Sequence, residues 1–185
     1  MTVAAWVDDK PLRAEEVDAR LARLRSLDRA GSLPDPHTRE GRQLCRWVAQ
    51  VAVVERLCEH TWDAFVLSED GIRHGSEHER GLSRADAAAL GSIVAAAWAN
   101  NPRVPQAANL VTEEITLSDR QRHQVARLAV TEEGVTAWTM EQLLLSARLE
   151  AFARWLARAT HERVRLAEGY EHPGDASQPD NLHEH

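Results

Sequence analysis

Between Thr38 and Val66, apolar residues recur so densely that one helix must occupy the middle of whatever this chain folds into. Leu44, Trp47, Val48, Val51 and Val54 repeat at intervals of three and four, and Leu57, Cys58 and Trp62 extend the stripe. Cys45, Ala49, Ala52 and Val53 widen it past a single face. A helix apolar over that much of its girth needs packing partners on several sides. The rest of the chain must supply them.

Val3 to Leu12 reads as a short strand, a turn at Asp8-Asp9 and a short apolar return. Arg13 to Leu27 carries Val17, Leu21 and Leu24 at helical spacing, with Glu15 and Glu16 suited to the positive end of the helix dipole. Gly31 to Pro36 and Glu69 to Gly81 read as loops. Ser83 with Asp86 forms a capping-box pattern that opens a helix to about Ala99, and Asn100-Asn101-Pro102 stops it. Pro105 to Leu117 reads as irregular, and Ser118 with Gln121 opens another helix. The last long helix is expected from Thr131 to Arg163, burying Leu144, Ala147, Ala151, Phe152, Trp155 and Ala159, with Glu150 and Arg154 paired on its wet side. Val164 to Leu166 reads as a short strand. The expectation is a mainly α bundle over 1–167 with a short N-terminal strand pair, and an extended His/Asp-rich tail over 168–185.

The chain's 185 residues are enough to bury a core without disulfides. Tryptophan brings a large buried area, so several of its six tryptophans are expected as core anchors. The net charge of −7 speaks against a nucleic-acid partner, which calls for a basic face. Cys45 and Cys58 lie about 20 Å apart along one helix and cannot bridge, so both read as thiols in a reducing compartment. No apolar run is long enough to span a membrane, and Met1 to Trp6 lacks the pattern of a signal peptide. A cytoplasmic location is the expectation.

Three segments together resemble a known family. Val3-Ala-Ala-Trp-Val-Asp-Asp-Lys-Pro-Leu12 before an acidic helix start looks like the opening of SurA-type chaperones and parvulin-type prolyl isomerases, with Asp8-Asp9 in place of the usual Asn-Gly. Arg46 to Leu57, ending in Glu-Arg-Leu, is similar to that family's central helix. Arg148 to Leu156 followed by Val164-Arg-Leu166 is similar to its returning helix and strand. The resemblance implies a helical, polypeptide-binding scaffold. The chain departs from the family where the catalytic domain would sit. Thr131 to Trp138 runs almost directly into the last helix, leaving no room for a parvulin domain. Isomerase activity is therefore expected to be absent.

Several residues are candidates for chemistry. His172, Asp175, Asp180, His183 and His185 crowd the tail, and imidazole with carboxylate suits a divalent Zn, Fe or Mn ion. The bland alternative is a solvated terminus. His74, Glu77 and His78 match an inverted zinc-protease spacing, but Gly75 and Ser76 argue against the helix that motif needs, so a polar loop is the better reading. His60 and His123 could act as general bases if sequestered in a pocket, although a lone helical histidine is more often structural. Asp8 and Asp9 read as turn chemistry. Glu113-Glu114 and Glu132-Glu133 read as solvated charges. Nucleotide, dithiol and serine-hydrolase motifs are absent from the sequence.

The leading expectation is an accessory protein that binds a polypeptide or partner subunit through an apolar groove lined by Trp47, Val51, Trp138 and Trp155. The alternative is an enzyme acting on a small apolar molecule, of the bacterial secondary-metabolite kind, with a metal or acid/base site completed by the tail. A structural homodimer is a third.

Overall fold

In a computed structural model of the chain, residues 2–27, 30–68, 81–128 and 133–175 are described. Two strands, β1 (Val3–Val7) and β2 (Lys10–Arg13), are followed by α1 (Ala14–Arg25), a 3-10 turn at Ala30–Ser32 and the long α2 (Arg39–Val66). Then come α3 (Arg84–Ala89), α4 (Ser92–Asn100), α5 (Arg103–Thr112), α6 (Asp119–Leu128), α7 (Glu133–Arg163) and β3 (Val164–Leu166). The fold is mainly α, as expected.

The opening strand and the closing helix meet. β1 is the middle strand of a three-stranded antiparallel sheet, with β2 on one side and β3 on the other. Val7 faces Lys10 across the hairpin, so Asp8-Asp9 form the two-residue turn. Both have positive φ, 51° and 60°, which the right-handed twist of a tight hairpin demands. The β1–β2 register slips between Val3 and Ala5, the mark of a bulge. Ala4 and Ala5 are consequently both buried, breaking simple alternation.

α2 is central because it serves two cores. Val48, Ala49, Ala52, Val53 and Leu57 pack with the sheet, Val17 and Leu21 of α1, and Ala159 of α7. Val51, Val54 and Cys58 turn the other way, onto Ala87, Val94, Ala97, Val104, Ala107 and Phe152. Those two clusters explain the unusual girth of its apolar stripe. The helix starts where Thr38 Oγ1 accepts from the Gly41 amide at 3.1 Å.

Three expectations need correction. The helix expected over 84–99 is two helices, interrupted at Leu90-Gly91, where Gly91 takes φ 104°. Of the stretch expected to be irregular, only 113–117 is turn and coil; Pro105 to Thr112 is helical, because α5 spans Arg103–Thr112. Pro105 sits in its first turn, where a backbone N–H would have no helical partner anyway, so proline is tolerated. No tryptophan is fully buried either. Trp6, Trp47, Trp62, Trp98 and Trp155 are half-buried and Trp138 is exposed. Trp47, Trp98 and Trp155 pack against the two cores, while Arg103 lies over the Trp62 ring and Arg165 over Trp6.

The Ser83–Asp86 and Ser118–Gln121 caps form reciprocally, as their spacing predicts. The segment after β3 stays on the body. Arg46 Nε donates to the Gly169 carbonyl and Gln50 Nε2 to that of Tyr170, at 3.3 and 3.1 Å. No helix among the described residues is long and apolar enough to cross a membrane.

Candidate functional site

The hairpin turn places the Asp8 carboxylate against two helices. Arg163, at the end of α7, donates from Nε to Oδ1 and from Nη2 to Oδ2, each at 2.7 Å. This is a bidentate fork, the strongest ion-pair geometry available to arginine. His60 of α2 approaches the same carboxylate, with Nδ1 2.8 Å from Oδ2. An ionised carboxylate only accepts, so Nδ1 carries the proton and, in the neutral ring, Nε2 is the basic nitrogen. Arg163 Nη1 also donates to Thr61 Oγ1 at 3.0 Å. The Arg163 bonds, aided by His60 and opposed by burial, lower the Asp8 carboxyl to about 2. His60 is therefore oriented as a general base would be. Yet both oxygens of its carboxylate partner are also committed to Arg163.

A second constellation lies between α1, α2 and the end of α4. Arg20, Arg23, Leu24, Leu27, Trp47, Val48, Val51, Glu55 and Asn100 line a cavity of about 350 Å³. Trp47 and Val51, two of the expected groove residues, thus share one space. Trp47 Nε1 donates to Ser92 Oγ at 3.0 Å, which fixes the indole. The Glu55 side chain is only 4% exposed, with Oε2 2.6 Å from Arg20 Nη1. Its Oε1 is buried without a hydrogen-bond partner. Burial pushes this carboxyl up, and Arg20 opposes the shift. In the sequence Glu55 stands only as part of the Glu-Arg-Leu that ends the family-like helix, not as a candidate site residue. A carboxylate one turn after Val51, inside an otherwise apolar stripe, was the available signal.

The other two groove candidates lie elsewhere. Trp155 stacks on Phe152, ring centroids 5.6 Å apart and planes at 14°, and packs against both cores with Trp47. Trp138 stands 62% exposed on the first half of α7. Close along that helix, Met140, Glu141, Leu144 and Arg148 join Ile115, Thr116, Leu117 and Arg122 around a cleft of about 640 Å³. The four residues therefore do not line one continuous groove. The buried face expected of α7 is also narrower: Phe152 and Ala159 are buried, while Leu144, Ala147, Ala151 and Trp155 are half-buried.

His123 is exposed, with Nδ1 2.7 Å from the Asp119 carbonyl one turn earlier. In the tail, Asp175 N donates to the His172 carbonyl at 2.9 Å, and Gly174 N donates to His172 Nδ1 at 3.1 Å. His172 Nδ1 therefore accepts, and in the neutral ring Nε2 carries the proton. Asp180, His183 and His185 lie outside the described residues, as do His74, Glu77 and His78. Among the described residues, no group of three His, Cys, Asp or Glu side chains is placed to hold a metal. Cys45 and Cys58 are both free thiols.

The hairpin, α1 and the start of α2 carry what likeness this chain has to catalogued proteins. No curated protein matches it, and no solved structure does. A family model described as a family of unknown function, DUF7158, matches residues 3–40, less than half of the chain.

Proposed function

We propose that this chain is an accessory, chaperone-like protein on a SurA-type helical scaffold, binding a polypeptide or partner subunit through apolar surface and lacking isomerase activity. The first half of α7 carries the reading. From Trp138 to Ala151 no residue is buried, although Met140, Leu143, Leu144, Leu145 and Leu149 are all large and apolar. Each of these is half-buried and leaves part of an apolar side chain at the surface, on the same stretch as the 62% exposed Trp138, and exposed apolar surface is what interaction sites use. The cleft there is lined by apolar Ile115, Leu117, Met140 and Leu144 together with charged Arg122, Glu141 and Arg148. Such a lining accepts apolar side chains of a segment flanked by charges.

The test is binding of a permanently unfolded, carboxymethylated polypeptide to the full chain, followed by fluorescence anisotropy. Wild type is expected to bind, and Leu144→Glu to lose most of that affinity while keeping its helical circular dichroism. Equal binding by Leu144→Glu, or none by wild type, overturns the proposal. Acceleration of proline isomerisation in a peptide substrate would overturn the statement about activity.

The 2.8 Å contact between His60 and Asp8 favours a second reading. In it the chain is a small-molecule enzyme, with His60 as general base and a divalent Zn, Fe or Mn ion held by His172, Asp175 and the rest of the tail. Metal analysis of purified protein tests it. Sub-stoichiometric metal, with no change in function on truncation after Tyr170, sinks it.

A further inference from the structure

The cavity between α1, α2 and the end of α4 has a use that polypeptide binding does not require. Leu24, Leu27, Trp47, Val48 and Val51 give it an apolar wall. At about 350 Å³ it falls in the size range of small-ligand sites. Its polar lining is Arg20, Arg23, Glu55 and Asn100. Arg20 satisfies one oxygen of Glu55, and the other has no donor. A buried acceptor left without a donor is destabilising, and more so when charged. The fold keeps this acceptor inside a stripe where any aliphatic residue would pack. The terminal torsion of a glutamate is soft, so the carboxylate can turn to a donor held in the cavity.

Charge narrows the class of ligand. Two guanidiniums against one carboxylate leave the lining with a net positive charge. Arg20 is committed to Glu55. Arg23 is exposed and makes no ion pair among the described residues, so it offers a cation on the solvent side. A purely cationic ligand would meet Arg23 unfavourably, and a purely anionic one would leave Glu55 Oε1 unpaired.

We propose that this cavity binds a small zwitterion with an apolar body, its ammonium donating to Glu55 Oε1 and its carboxylate held by Arg23. The apolar body lies against Trp47, Leu24 and Val51. An amino acid with a large apolar side chain has this chemistry. The site is separate from the α7 cleft and does not depend on its role.

Calorimetric titration of the full chain with L-phenylalanine, phenethylamine and 3-phenylpropionate tests it, with the Trp47 indole N–H resonance as a local readout. L-phenylalanine is expected to bind saturably and shift that resonance. The two analogues, each lacking one charged group, should bind about tenfold more weakly. Glu55→Gln should weaken L-phenylalanine and phenethylamine by about tenfold and leave 3-phenylpropionate unchanged. Arg23→Ala should do the reverse, sparing phenethylamine. Arg23 is exposed, so its variant decides the matter if Glu55→Gln fails to fold. Leu144→Glu should bind L-phenylalanine as wild type does. Saturable binding of none of the three, or equal affinity for L-phenylalanine and both analogues, overturns the proposal.

Discussion

The Asp8 carboxylate and the Arg163 guanidinium, 155 positions apart in the chain, form a two-bond fork that ties the first hairpin to the end of the last helix. The adjacent main chain repeats the tie, with Asp8 N donating to the Arg163 carbonyl at 3.0 Å. Asp8→Asn removes the charge and returns one hydrogen-bonding oxygen in place of two. It should lower unfolding stability by about 1–3 kcal/mol, read from urea midpoints at constant slope.

The same pair makes stability depend on pH in acid. The Asp8 carboxyl falls from its ordinary 3.8 to about 2 in the folded chain. Its contribution is therefore fully present above pH 3.8 and lost as pH falls through about 2. Allowing for partial solvent screening, the loss is about 1–2 kcal/mol. In Asp8→Asn that portion of the acid limb should vanish. An unchanged acid profile in the variant would contradict the assignment.

Asp9 occupies the second turn position at φ 60°, a conformation glycine adopts without steric cost. Its side chain meets Arg165 at 3.1 Å, but both side chains are largely exposed, so the pair contributes little. Asp9→Gly should stabilise the protein by about 0.5 kcal/mol. A lower melting temperature in this variant would show that the Arg165 contact matters more than the backbone strain.

Phe152 is fully buried between Trp98, edge-on at 6.3 Å, and Trp155, stacked at 5.6 Å. Phe152→Ala should cost about 3–5 kcal/mol. That is a large share of a total of about 5–15 kcal/mol for a domain. Loss of cooperative unfolding, or a large drop in midpoint, is the expected outcome.

The two thiols should react in sequence. Burial pushes Cys58 up to about 12, and burial also raises Cys45, which is only half-buried. A thiol reagent at neutral pH should label Cys45 slowly and Cys58 only after unfolding. Simultaneous labelling of the folded chain would show that the second core opens.

Local order was legible in the residues themselves. The α2 stripe, the two serine caps, the hairpin at Asp8-Asp9 and the Glu150–Arg154 pair, seen at 3.3 Å, all depend on neighbours a few positions away. Such interactions are written into periodicity and spacing. Pro105 misled because its meaning depends on whether it falls inside a helix or in its first turn.

What the three-dimensional fold alone decided is which distant groups share a space. Asp8 reads as a turn residue until Arg163 and His60 arrive beside it, and Glu55 gains its buried partner only when α1 brings Arg20 to it. No local pattern encodes either meeting. Desolvation and pairing arise from segments brought together by core packing, and core packing has no fixed spacing along the chain.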